Sequence, residues 1–283
     1  MLVNSSITGH RLVSLPFSDF CEPLINNEED FDLLISSIIS HCQTTNIMNV
    51  EIRGGKEYFV KESESYSYHE HILELNKSEE ELFGSFNEST RRNIKKAIKN
   101  GVQIDFMNDL NSINEFYHLN CITRKKHGLP PQPFSFFKNL FNSLIEKEMG
   151  FVLSAKYNND IIASSILLNF GNKSYYKFGA SDEKFQNIRP NNLIMWEAIK
   201  HFKNSGFTSF NFGRTEKENA GLRRFKLGWG TDEKVINTYI YSLKQKEFIK
   251  KGTHTSGFHN KIFNKTPLPL LKMFGSIFYR HFG

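Results

Sequence analysis

The sequence predicts an α+β fold, a mixed sheet carrying helices, and three observations lead there. Strand-like and helix-like runs alternate along the chain instead of segregating. Two strand-like runs flank the turn Asn158-Asn159-Asp160, the mark of an antiparallel meander. A helical pattern over 192–204 then lies between two strands, as a crossover does.

The elements follow in order. Residues 10–20 read as extended, and residues 31–40 carry apolar side chains at helical spacing before a strand over 48–53. Residues 70–75 alternate as a short strand. The stretch 79–100 reads as a helix or a pair of helices, ended by Gly101 where a left-handed cap is favoured. A strand over 102–106 leads to a helix over 110–126, and Pro130 and Pro131 introduce a second helix over 133–147. Strands over 150–157, 161–169 and 174–178 make the meander. The crossover helix puts Ile194, Met195, Ala198, Ile199 and Phe202 on one face and stops before Gly206. A strand over 207–212, a short helix over 220–226 and a last strand over 235–241 complete a βααβββαβαβ order. Neither a repeat nor a linker is visible, and the pattern sets a boundary near residue 100. The expected division is 1–100, 101–247 and a tail of 248–283, with the first segment thin for an independent core and packed on the rest.

The 283 residues are 39% hydrophobic and 23% charged, an ordinary globular composition. No run approaches the ~20 apolar residues of a spanning helix and no leader is readable, so the expectation is a cytoplasmic protein. Three scattered cysteines suggest neither a disulfide framework nor a metal site. The net charge of +6 has an address: residues 1–247 balance, whereas 248–283 hold six basic residues and no acid. That excludes a uniformly basic nucleic-acid-binding body. Within 258–283, Lys261, Lys265, Lys272 and Arg280 are interleaved with apolar and aromatic residues from Phe258 to Phe282. The pattern suits peripheral contact with an anionic membrane, and a final helix packed on the body explains it equally well.

Four features are candidates for chemistry. Arg91, Arg92, Lys95, Lys96 and Lys99 gather on an arc of roughly 140° of one helix. Such a stripe is either a solvated outer face or a phosphate-recognising one. The run Thr123 to Pro133 is a helix end with a rigid turn, in which Lys125, Lys126 and His127 complement the helix dipole. Arg189-Pro190-Asn191-Asn192 opens the crossover helix, either as a simple cap or as an anion site. The densest feature runs from Asn211 to Gly230: a strand end, Gly213, a polar loop and a helical turn presenting Lys226 between Phe225 and Trp229. An aromatic cluster of purely structural purpose does not require Arg214, Asn219 and Lys226 together, so this segment is the leading candidate.

Several motifs together resemble the FemAB-like branch of the GNAT acyltransferase superfamily, including BioF2-like acetyltransferase domains and relatives encoded with exopolysaccharide or PEP-CTERM export systems. They are Leu-Val-Ser-Leu-Pro-Phe-Ser-Asp-Phe over 12–20, Arg-Arg-Asn-Ile-Lys-Lys-Ala over 91–97, Lys-His-Gly-Leu-Pro-Pro-Gln-Pro over 126–133 and Arg-Pro-Asn-Asn-Leu over 189–193. The most specific is Asn-Phe-Gly-Arg-Thr followed by Gly-Leu-Arg-Arg-Phe-Lys-Leu-Gly-Trp-Gly.

The resemblance implies a GNAT-like mixed sheet with helices on both faces, a complete C-terminal lobe and a shortened N-terminal one, because the chain starts almost at the Leu-Pro-Phe motif. It implies transfer of an acyl or aminoacyl group from aminoacyl-tRNA or acyl-CoA to an amine of a peptidoglycan or exopolysaccharide precursor, with no tightly bound cofactor and no metal. Lys226, Phe225 and Arg214 are the catalytic candidates. Asn219, Asn191, Asn192, Tyr176, Trp229, Arg91, Arg92 and Lys95 are the candidates for substrate binding. Gln186-Asn-Ile-Arg-Pro-Asn-Asn stands where a Gly-rich acetyl-CoA loop is usual, so the donor is left open. No general base stands out, leaving a substrate group or water to take the proton. The competing reading is a non-catalytic module of the same fold that recognises an anionic glycan or nucleic acid through the 91–99 stripe.

Overall fold

The computed structural model describes residues 1–251 and 263–281. Its strands are β1 (Leu2–Ser5), β2 (Gly9–Val13), β3 (Asn49–Arg53), β4 (Tyr66–Glu74), β5 (Gln103–Met107), β6 (Gly150–Tyr157), β7 (Asp160–Phe170), β8 (Lys173–Ser181), β9 (Ser209–Glu216), β10 (Asp232–Ser242) and β11 (Glu247–Phe248). The helices are α1 (Glu28–Gln43), α2 (Glu79–Ser85), α3 (Glu88–Lys99), α4 (Leu110–Lys126), α5 (Phe134–Ser143), α6 (Pro190–Asn204), α7 (Ala220–Leu227) and α8 (Leu268–Phe278).

One sheet runs through the described residues in the order β1-β2-β3-β10-β4-β9-β8-β7-β6-β5, with β11 paired to β10. The pairing is mixed: β2 with β3 and β8 with β9 are parallel, and the other pairs are antiparallel. β10, read from sequence as the last strand of the second segment, is inserted between β3 and β4 of the first. No local pattern announces a pairing between residues more than 160 positions apart. The hairpin β1–β2 went unread because Leu2-Val-Asn-Ser is too short and polar to stand out.

Alternation along β6 shows how the sheet is covered. Val152 joins Ile113 and Phe116 of α4 and Phe137 of α5, while its neighbour Leu153 joins Ala97 of α3 and Ile194 and Ile199 of α6. Helices therefore cover both faces, as the resemblance implied. The α3–α6 core also takes in Leu73, Leu82 and Phe86, so residues on both sides of position 100 share it.

Helix ends follow the side chains available. Ser78 and Glu81 form a capping box on α2, and Asn87 and Asp109 cap α3 and α4. The predicted 133–147 helix divides, because Leu144 leaves helical geometry and a short 3-10 turn follows over Ile145–Lys147.

The described part of the tail is docked. Leu271 of α8 is fully buried, Lys272 lies over the Tyr117 ring, and Tyr279 stacks on Phe17 at 5.3 Å between centroids. Ser5 Oγ lies 3.0 Å from His281 Nδ1, tying the chain's end to the first strand. Residues 258–262 and Phe282 of the amphipathic reading, and the Arg280 side chain, lie outside the described residues.

Candidate active site

The parallel neighbours β8 and β9 pair only where Lys173–Tyr175 face Ser209–Asn211. Beyond that β8 runs to Ser181 and β9 to Glu216 without further pairing, so a V opens in the middle of the sheet. Irregularities in both strands accompany the opening. In β8, Leu167 pairs with Tyr176 and Ile166 with Phe178, leaving Lys177 as an extra residue. In β9, Gly213 adopts φ +72°, which costs a glycine little, and its N–H donates to Asn211 Oδ1 at 2.7 Å.

Two cavities meet at this V. One of about 390 Å³ lies among the last turn of α4, the end of β8, the start of α6 and Phe225 of α7. The other, of about 670 Å³, is lined by Asp19, Glu70, Asn211, Gly213, Lys177 and Lys234 among others. Tyr176 lines both. Its hydroxyl lies 1.6 Å from where a Cβ on Gly179 would stand, so the ring can occupy this position only beside a glycine. Burial pushes the Tyr176 phenol up, which keeps it protonated.

Lys226 comes from α7 to the β9 side of the opening, where its partner Gly213 lines the larger cavity and Lys226 itself lines neither. It is 4% exposed, and its Nζ donates to the carbonyls of Gly213 at 2.7 Å and Arg214 at 3.0 Å. Burial lowers its pKa to about 8, against the opposing pull of Asp19 and Glu70. An ammonium has three N–H groups, and the two carbonyls take two of them. Around it, Asn211 Nδ2 donates to Glu70 Oε1 at 2.8 Å. Arg214 stacks its guanidinium 4.4 Å from the Tyr68 centroid and places Nε 3.4 Å from Asp19 Oδ1. Lys177 Nζ lies 3.7 Å from Asp19 Oδ2.

The remaining sequence candidates divide. Asn191 and Asn192 line the smaller cavity with Phe225, and Asn191 Nδ2 donates to Ser181 Oγ at 3.2 Å. Arg91, Arg92 and Lys95 are absent from the lining of either cavity. Arg91 donates to the Gly84 carbonyl at 3.2 Å, and Lys95 lies 5.9 Å from the Phe83 centroid.

Two further candidates lie away from both cavities. Trp229 is fully buried between Phe86 and Phe212 and packs in the core, lining neither cavity. Asn219 is spent as the cap of α7, its Oδ1 accepting the Leu222 N–H at 3.1 Å, and it lines neither cavity.

Sequence reasoning missed Asp19 and Glu70, the carboxylates nearest the buried amine in their effect. Asp19 sits inside the Leu-Pro-Phe motif, and Glu70 alternates with Ser67, His71 and Leu73 of the buried face of β4. The β4 alternation puts Glu70 on the open face, a signal that becomes informative once β9 is known to lie alongside.

A mixed sheet split between two parallel strands, with a helix N-terminus at the opening, defines a GNAT-type acyltransferase fold. Residues 84–233 match the family model described as an acetyltransferase (GNAT) domain, and the chain belongs to that family. Among curated proteins it is similar to the Lipid II:glycine glycyltransferase of Staphylococcus haemolyticus, 26% identical over 62% of this chain and 58% of that protein. The enzyme of the same name from Staphylococcus aureus is 23% identical over 71% of this chain and 66% of that protein. The chain thus spans about 58–66% of the length of these relatives. Among solved structures, FemX aligns with a TM-score of 0.63 at 18% identity, covering 83% of this chain and 81% of FemX. The C-terminal domain of a putative lysylphosphatidylglycerol synthetase from Agrobacterium fabrum aligns with 0.56 at 12% identity, covering 77% and 75%. Among the described residues no helix is long and apolar enough to cross a membrane.

Proposed function

We propose that the chain transfers an aminoacyl group from aminoacyl-tRNA to an amine of a lipid-linked peptidoglycan precursor. The observation that carries this is the buried Lys226 ammonium, held on the Gly213 and Arg214 carbonyls beside the V. The smaller cavity takes the donor's 3′ end: Phe225 offers a stacking surface, and Asn191 in the first turn of α6 offers its backbone N–H to phosphate. The larger cavity takes the acceptor amine beside Glu70 and Asp19.

The amine nitrogen attacks the ester carbonyl carbon, and the remaining N–H of Lys226 stabilises the oxygen that becomes anionic. Glu70 accepts the proton the amine loses. Collapse breaks the ester C–O bond, the 3′ oxygen leaves with the proton that Glu70 returns, and an amide is formed. No covalent intermediate on the protein is required. Tyr176, protonated and shared by both cavities, orients the two reactants, and Arg214 holds Asp19.

Three features favour tRNA over acyl-CoA as donor. The relatives are named for glycine transfer; α3 presents a basic stripe; and α3 touches the 183–188 turn, whose Gln186 lines the donor cavity. Incubation with labelled glycyl-tRNA or acetyl-CoA against Lipid II tests the reading. Product one glycine heavier with tRNA alone is expected. Absence of transfer from both donors overturns it.

A lipid-linked acceptor places the protein at a membrane, and α8 fits that. Docked through Leu271, it leaves Leu270, Met273 and Ile277 nearly half exposed at helical spacing, in a tail without acids. Flotation with anionic liposomes is expected to recover the full chain and to lose the Leu270→Ser, Met273→Ser, Ile277→Ser variant. Equal recovery overturns the membrane contact.

A further inference from the structure

The transfer scheme makes no use of a polar cluster under α7. His69 and His71 alternate on β4 and so share a face, and the β4–β10 register sets Glu233 opposite His71. Glu233 Oε2 accepts from Arg223 Nε at 2.7 Å and lies 3.0 Å from His71 Nε2. Its Oε1 accepts from Arg223 Nη2 at 2.8 Å. His69 Nδ1 lies 3.2 Å from Oε1 without hydrogen-bond geometry. His71 is fully buried, with no hydrogen-bond partner at Nδ1 among the described residues. Arg223 precedes Lys226 by three positions, about one helical turn.

We propose that Glu233 is a positioning residue: by gripping Arg223 with both oxygens it clamps α7 to the sheet and thereby holds the Lys226 ammonium on the Gly213 and Arg214 carbonyls. An eight-residue helix is too short to be stable on its own, so its placement comes from contacts. Asn219 caps one end and Trp229 anchors the chain beyond the other, but an apolar anchor tolerates small rolls that a hydrogen bond does not. Hydrogen bonds from Asn87 N–H to the Gly228 carbonyl and from Thr231 Oγ1 to the Lys226 carbonyl fix the far end, and Arg223 adds a side-chain contact to β10 in the middle of the helix, bidentate on a carboxylate. Without Glu233, Arg223 and Lys226 from α7 face the two imidazoles of β4 with no carboxylate among them, while Asp19 and Glu70 act on Lys226 from the acceptor side.

The inference rests on Lys226 being the working cation, so its test reads Lys226 directly. Competitive acetylation of the full chain with acetic anhydride, quantified lysine by lysine by mass spectrometry across neutral and alkaline pH, reports both access and titration. Wild-type Lys226 is expected to label slowly with a midpoint at about 8. In Arg223→Ala its pH-independent labelling rate rises about tenfold or more and its midpoint moves toward the ordinary 10.5 of lysine, and Glu233→Gln, which keeps one acceptor oxygen, moves both in the same direction. Arg223→Lys falls between, because one contact survives. Lys156→Ala, which breaks the surface pair with Asp105, changes nothing at Lys226. In transfer assays Glu233→Gln lowers kcat about tenfold or more while both KM values stay within about twofold.

Circular dichroism establishes that each variant is folded, and Arg223→Ala alters a side chain already 43% exposed, so at least one folded variant is expected. Unchanged Lys226 labelling in a folded variant overturns the clamp. Full turnover in Lys226→Met overturns the functional reading instead, while the labelling still decides the clamp.

Discussion

Helices α3 and α7 both carry clustered cations, and they use them in opposite ways. On α3, Arg92, Lys95, Lys96 and Lys99 are exposed and Arg91 half-buried. On α7, Lys226 is taken out of water and satisfied by two backbone carbonyls. An exposed cation acts through a screened, long-range field and contributes to attraction of a polyanion. A buried one acts at hydrogen-bond range in a medium where its charge is worth far more. In the proposed transfer, the α3 cations attract the substrate and the α7 cation acts where it reacts.

The largest expected effect tests the buried cation. Lys226→Met is expected to lower kcat by about two to three orders of magnitude, the usual loss when an oxyanion donor is removed, with circular dichroism unchanged. Glu70→Gln keeps the bond from Asn211 but cannot accept a proton, and is expected to lower kcat about a hundredfold. Retained turnover in Glu70→Gln, measured at saturating acceptor, assigns the proton to solvent instead.

The pH profile separates the two helices without any substitution. In the proposed transfer Lys226 works as an ammonium, so kcat/KM is expected to hold below about 8 and to fall as pH rises through that value. Linkage has the matching sign. The folded-state pKa lies below that of an unfolded lysine, so the cost of burying the charge is fully present below about 8. It eases as pH rises from there toward 10.5. In a Lys226→Arg protein that retains measurable turnover, the alkaline limb is expected to vanish. Its persistence there assigns the limb to another group.

Neutralising the α3 stripe is expected to act differently. Arg92→Gln, Lys96→Gln and Lys99→Gln together are expected to raise the KM for charged tRNA about tenfold and flatten its salt dependence, leaving kcat within about twofold. A fall in kcat at saturating tRNA would bring α3 into the reacting site and dissolve the contrast with α7.

How much of this was legible depended on range. α4 and β6 occupy the spans read from periodicity, 110–126 and 150–157, because their apolar spacing and flanking turns are local. The insertion of β10 between β3 and β4 is a long-range pairing with no local signature. The same limit governed the site. Lys226 stood out through its motif, but its burial, its carbonyl partners and the approach of Glu70 depend on where β9 bends. Asn219 and Trp229 looked equally functional in sequence, since a cap, a core ring and a contact residue can share one dense segment.

Trp229 gives the smallest expected effect and the sharpest separation of roles within that segment. Its ring is fully buried against Phe86, Phe212 and Phe225, and its Nε1 has no hydrogen-bond partner among the described residues. Trp229→Phe loses ring area but also removes a buried donor that has nothing to bond, and the two changes offset each other. The expected outcome is a stability change within about 2 kcal/mol by denaturant unfolding, with kcat and both KM values within about twofold. Trp229→Ala instead opens a cavity and is expected to cost about 3–5 kcal/mol. A Phe variant of native stability with a large rise in donor KM would return this ring to the binding site. Unchanged kinetics leave Phe225, four residues earlier and lining the donor cavity, as the aromatic of α7 that meets the substrate.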